Sequence, residues 1–204
     1  RNPRGPRAPF PPLACDTHAH IFGPAVRFPY VPERIYTPPD STESDYRALL
    51  AALGVERAVL VQPSVYGEDN TAMLAALRYF GAGVRAVAVT DPAIPAAQIE
   101  TLHQAGVRGL RFNVVDRRAN KNVVPADMLR DLAKRIAPFG WHIELLVNVD
   151  EAPAFAQAVA DIPVPIVLGH LGYPKSGART WTAHPAFADL LRLLDGGRCW
   201  IKLT

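Results

Sequence analysis

Cysteine is scarce in this chain. Only Cys15 and Cys199 occur, far apart and outside any Cys-x-x-Cys spacing. That excludes a disulfide framework and a cysteine-built zinc site as organising principles. Two buried free thiols in a reducing, cytoplasmic setting are the expectation. Long hydrophobic runs are absent too: nothing approaches the roughly 18 consecutive apolar residues of a membrane span. Charge of one sign is also lacking. Lys and Arg number 22 against 19 Asp and Glu, a net +3, and no basic run is interleaved with aromatics. Nucleic acid is therefore not an expected partner, and neither is a membrane. Residues 1–12 have no apolar segment of the kind that marks a secretory signal. Their five prolines describe an extended arm ahead of a domain over residues 13–204. No Gly-x-Gly-x-x-Gly follows the first apolar strand, so a dinucleotide fold loses its main support.

What the chain does have is a repeated cycle of short apolar run, turn and amphipathic helix. Strands are expected over residues 14–22, 57–62, 84–89, 107–114, 141–149, 165–168 and 199–203. Helices are expected over 42–53, 70–80, 96–105, 126–139, 150–159 and 185–194. Thr42 and Asp45 stand at capping-box spacing, Asp150 reads as a cap for the fifth helix, and Gly54 reads as a C-terminal stop. The strands are near-continuous apolar runs, the pattern of a parallel sheet covered on both faces. Residues 23–39 are too long for a tight turn and carry Phe28, Tyr30 and Tyr36, rigid contact groups in a loop of functional length.

Polar residues gather at the carboxyl ends of these strands: His18 and His20, Ser64, Asp91, Arg111 and Asn113, Asn148, His170. A barrel with its active site on that face predicts such a distribution. The fold class expected is thus α/β, a (β/α)8 TIM-type barrel, with this sequence truncated after the seventh strand and its last strand-helix unit missing.

The stretch Ala14-Cys15-Asp16-Thr17-His18-Ala19-His20 is the main chemical signal. Strand alternation puts Asp16, His18 and His20 on one face. Two imidazoles on one strand face can grip a common target, a metal or a substrate oxygen. Asp16, deeper on that face, is expected to orient an imidazole. The second signal is Val167-Leu168-Gly169-His170-Leu171-Gly172-Tyr173-Pro174, a histidine between glycines at a strand end. Arg111 lies inside an apolar strand, where an unpartnered charge is costly, and a guanidinium grips a carboxylate through two parallel bonds. His103, His142 and His184 read as structural or surface groups.

Taken with Glu33-Arg34-Ile35-Tyr36-Thr37-Pro38 and Gly109-Leu110-Arg111-Phe112-Asn113, these segments resemble the amidohydrolase superfamily. Within it the chain is similar to the branch of 2-pyrone-4,6-dicarboxylate lactonases, and the resemblance runs from Leu13 to Thr204. It implies a distorted barrel and hydrolysis of a lactone by water attack on the carbonyl. It carries His18, His20 and His170 over as catalytic groups that polarise that carbonyl. Tyr36, Ser64, Arg111, Asn113, Arg117 and Arg118 carry over as groups that bind the substrate. It implies no required metal, with His18, His20 and His170 as the ligands of a weakly held zinc if one is bound. The strand-eight Asp that serves the family as general base is not among these 204 residues. The lactonases carry Arg where this chain has Tyr173 and Tyr where it has Leu146, which implies a less charged lactone than the dicarboxylate pyrone. The expected partner is a small anionic lactone, and an oligomer is left open. A metal-dependent decarboxylase or amide hydrolase of the same superfamily, and a non-catalytic barrel, are the competing readings.

Overall fold

The computed structural model describes residues 3–116 and 120–204. The chain divides into two compact units. One comprises residues 1–90 with 100–107, the other 91–99 with 108–204.

In the first unit, three strands pair in parallel: β1 (Cys15–Ala19), β2 (Arg57–Val61) and β3 (Val84–Ala88). Helices α1 (Glu43–Leu53) and α2 (Thr71–Phe80) connect them. Ala58, Leu60 and Val61 of β2 and Val84, Ala86, Val87 and Ala88 of β3 are all buried. That is the two-sided burial a parallel sheet requires. The capping box at the start of α1 is present: the Asp45 carboxylate accepts from the Thr42 amide at 2.8 Å. Gly54 ends the helix in the left-handed region, at φ 69°. The 23–39 loop is anchored by its aromatics. Phe28 packs with Val65, Tyr66 and Ala72, with Phe22 and Tyr30 against them, and the Tyr66 hydroxyl accepts from the Gly23 amide at 2.7 Å.

The second unit holds β4 (Val107–Asn113) apart from its first residue, with β5 (His142–Leu146), β6 (Ile166–Leu168) and β7 (Cys199–Ile201), again all parallel. Helix α3 (Ala96–Gln104), which precedes β4, has residues 96–99 in this unit and 100–104 in the first. Then come α4 (Ala126–Ile136), α5 (Phe155–Val159), α6 (Ala178–Trp181) and α7 (Pro185–Asp195). Helix α4 shows how the units are covered: Leu129, Leu132, Ala133 and Ile136, spaced for one stripe, are all fully buried. Each such leucine contributes about 2 kcal/mol of transfer free energy.

Three expectations need correction. Asp150 does not cap the fifth helix, which begins only at Phe155; its carboxylate instead binds the Ser176 amide and hydroxyl, both at 2.7 Å, and the Lys175 amide at 3.1 Å. Burial opposes ionisation of Asp150, yet those three donors outweigh it and hold the carboxyl below its usual range. Cys15 is exposed, whereas Cys199 is buried, and burial pushes its thiol up to about 11. Helix α6 was not anticipated, since four residues carry too little periodicity to register. No helix among the described residues is long and apolar enough to cross a membrane.

Gly109 is required where β4 meets β5. It pairs with His142, and a Cβ built on it would stand 2.7 Å from the imidazole. Burial holds that imidazole below the ordinary histidine range, against the pull of Glu144. The ring is a packed group, the structural one of the two alternatives, structural or surface, read from the sequence. Gly109→Ala is expected to destabilise the protein by about 1–3 kcal/mol, measured by denaturant unfolding; a change within error would show that the ring simply swings aside.

Candidate active site

The residues expected at the site fall into two sets, one in each unit. In the first unit, His18 and His20 stand on and just beyond β1. Their rings meet edge to face with centroids 5.0 Å apart. The strand is not regular here. Asp16 pairs with Ala58 but Ala19 with Leu60, three steps on β1 against two on β2. This bulge breaks the strict alternation on which Asp16 was grouped with the histidines. Asp16 reaches His18 through the main chain: its Oδ1 accepts the His18 N–H at 3.1 Å, and its Oδ2 accepts the Tyr46 hydroxyl at 2.8 Å.

His20 Nδ1 lies 2.7 Å from the Val61 carbonyl oxygen. A carbonyl only accepts, so Nδ1 carries the proton and Nε2 of the neutral ring is an acceptor. That tautomer suits orienting a water or ligating a cation; it does not suit donating to an oxyanion. Ser64 opens a short 3-10 turn after β2 and is half-buried. Tyr36 lies in the 23–39 loop and is 43% exposed.

In the second unit, Arg111 is buried within β4, and the structure supplies the partner that its strand position demanded. Its Nε stands 3.8 Å from Glu144 Oε1 on β5. The other oxygen of the same carboxylate accepts from Lys202 Nζ at 2.6 Å. Glu144 is 1% exposed, so one carboxylate anchors two buried cations. Sequence reasoning missed Glu144 and Lys202, although each is a lone charge inside an apolar run, the same signal that singled out Arg111.

His170 follows β6 at the head of an unusual turn. His170, Leu171, Gly172 and Tyr173 all have positive φ, at 51°, 56°, 77° and 47°. Three of the four carry a Cβ, which makes the left-handed region costly. The turn is held by Leu171 N–H to Lys202 O at 3.0 Å, Tyr173 N–H to His170 O at 2.7 Å and Val149 N–H to Gly172 O at 3.1 Å. Strain that surrounding bonds over-determine is characteristic of functional positions. His170 Nδ1 meets the Thr204 hydroxyl at 2.9 Å. Burial, then the Arg111 guanidinium, hold this imidazole below the ordinary histidine range, against Glu144.

Asn113, expected to bind substrate, has its side chain engaged by its own loop. Oδ1 accepts the Val115 and Asp116 amides at 3.0 and 3.1 Å, and Nδ2 donates to Asp116. Arg117 and Arg118 lie outside the described residues. Asn148 ties two further loops together: its amide donates to Asn122 Oδ1 at 3.1 Å and its Nδ2 to the Tyr173 carbonyl at 2.6 Å. A cavity of about 210 Å³ opens between α5, α7 and the first residues of β6 and β7. It lies at the end of those strands away from His170 and carries no acid–base set.

His18 and His20 fit one side of a divalent ion, with the His20 tautomer already set for ligation. Among the described residues, no group of three or more His, Cys, Asp or Glu side chains is gathered to hold one.

Comparison with known proteins bears on these sets. The family model described as amidohydrolase matches residues 15–204. The 2-pyrone-4,6-dicarboxylate hydrolase of Comamonas testosteroni is 39% identical over 173 residues, 85% of this chain and 56% of that protein. The 4-sulfomuconolactone hydrolase of Rhizobium radiobacter is 30% identical over 208 residues, 98% of this chain and 69% of that protein. A Pseudomonas putida crystal structure, described as a candidate 2-pyrone-4,6-dicarboxylic acid hydrolase, superposes with a TM-score of 0.78 at 32% identity. It covers 94% of this chain and 68% of that one. The chain thus spans between about half and two thirds of the length of the relatives it matches. The fold is the α/β, barrel-type architecture of these hydrolases.

Two outcomes are expected from the second set. Lys202→Met leaves Glu144 buried with one cation fewer and costs about 3 kcal/mol of stability. Adding Glu144→Gln recovers part of that loss in the same unfolding measurement. In an NMR titration, His170 takes up its proton below the ordinary value of about 6.5. Removing the guanidinium in Arg111→Met moves that midpoint upward, because a nearby positive charge no longer opposes protonation; a downward or absent shift contradicts the assignment.

Proposed function

The chain belongs to the amidohydrolase family, and from that membership we propose a hydrolase that opens the lactone ring of a small carboxylated acid by water attack on its carbonyl. The observation that carries the reading is the imidazole pair at β1, its rings 5.0 Å apart with His20 locked in one tautomer. The names of the relatives support the substrate class, since both act on lactones whose rings bear acidic groups.

In this reading each histidine set is assigned its own role. His20, accepting through Nε2, orients the attacking water. His18 polarises the carbonyl and holds the oxyanion as it forms, and His170 is proposed as a catalytic group of the same kind. Arg111 supplies the guanidinium for a substrate carboxylate, its position set by Glu144. Tyr36 and Ser64 are proposed as further substrate contacts. The reading requires no metal; a weakly held zinc would take His18 and His20 as ligands and would supply Lewis acidity to the carbonyl.

The test is turnover of a panel of carboxylated and sulfonated lactones by the full-length protein. Ring opening is expected, unaltered by chelator, with His170→Ala lowering kcat by about 100-fold or more. Equal rates for wild type and His170→Ala, or no turnover across the panel, would remove the proposal.

A further inference from the structure

The bulge on β1 raises an accounting question. A bulge takes backbone groups out of the ladder, and a buried or half-buried N–H left without an acceptor is costly. His18 lies inside this bulge, between Asp16 and Ala19. Its N–H is accepted by the Asp16 side chain, two residues earlier, at 3.1 Å. That carboxylate is not left to turn. Its second oxygen takes the Tyr46 hydroxyl at 2.8 Å, across 30 residues of sequence. Tyr46 is itself immobilised: it is buried on α1, and its ring lies edge-on to Phe80 at the end of α2, with centroids 5.8 Å apart. Burial and the neighbouring Asp16 push the phenol well above the ordinary tyrosine range, so it stays a donor.

We propose that Asp16 and Tyr46 form a positioning pair that aims His18: helix α1 grips the Asp16 carboxylate through Tyr46, and the carboxylate grips the His18 backbone where the ladder releases it. The two imidazoles are then held by two different devices. The backbone of His18 is fixed by a side chain, while the ring of His20 is fixed by the Val61 carbonyl. Their 5.0 Å edge-to-face pose is the sum of both. Neither Asp16 nor Tyr46 touches the substrate in this arrangement. Their effect runs through the direction of the His18 ring, and a misdirection well under a residue's width is enough to cost catalysis.

The pairing rests on the reading of His18 as a group that acts on substrate, so its test needs one readout that does not. Tyr46→Phe removes a single oxygen and keeps the packing against Phe80. In the full-length protein it is expected to lower kcat about tenfold, the loss typical of supporting partners. KM should stay unchanged, because the lost interaction matters in the transition state. In the imidazole NMR spectrum of the same variant, the His18 signals should move while those of His20 and His170 stay in place. Asp16→Asn, which keeps one acceptor oxygen, should give a smaller change of the same kind, and it is the variant to read should Tyr46→Phe fail to fold. Unchanged kcat together with unmoved His18 signals would overturn the pairing. If wild type opens no lactone while Tyr46→Phe still shifts only the His18 signals, the positioning pair stands and the lactone reading falls.

Discussion

Parallel strand pairing is the constraint on which the rest depends. In each unit every strand runs in the same direction as its neighbour, so all carboxyl ends come to the same edge of that unit's sheet. Helices return the chain to the other edge, and they do so by burying one stripe against the strands. Side chains that are useless to the core can collect where strands end. His18 and His20 follow from this in the first unit, and His170 in the second. The apolar strand interiors supply rigidity; the strand ends supply chemistry.

The exception is the charge set that lies inside the second unit. Arg111, Glu144 and Lys202 come from β4, from β5 and from just past β7, and each is at most 9% exposed. A parallel sheet tolerates ions in its interior only as a bonded set, since desolvating any one of them alone costs several kcal/mol. One consequence is mechanical: three sheet positions are tied by one carboxylate. The other is electrostatic. The Arg111 guanidinium lowers the proton affinity of His170 while Glu144 partly restores it, so the same set that ties the strands also tunes the imidazole at their end.

Both histidine sets depart from regular backbone. The first sits in a bulge, the second in a run of left-handed residues. Regular strand or helix geometry would aim these side chains along the sheet normal or back along the chain. Each departure is maintained by bonds from elsewhere in its own unit: the Asp16 carboxylate in one, the Lys202 carbonyl and the Thr204 hydroxyl in the other.

Much of the fold was legible beforehand because its signals are local. Seven apolar runs, five of the six expected helical stripes, the Thr42–Asp45 box and the Gly54 stop each depend on residues within a turn or two, and each stands close to where its periodicity placed it. The short helix α6, the start of α5 and the exposure of Cys15 did not, being decided by packing that leaves little periodic trace. At the site, the residue types were readable and their bonds were not. That His18, His20, His170 and Arg111 are chemically notable follows from charge and ring nitrogen in apolar runs. That Arg111 meets Glu144, that Glu144 meets Lys202 58 residues on, and that Asp16 serves both Tyr46 and the His18 backbone N–H follow from chain segments brought together by folding. Sequence alone determined the seven strands, the longer helices and the histidines and Arg111 as groups too polar for their surroundings, because these depend on neighbours along the chain. Tertiary structure alone decided who answers each of those polar groups, because a hydrogen bond requires its partners within about 3 Å, and only the packed strands and helices set that distance.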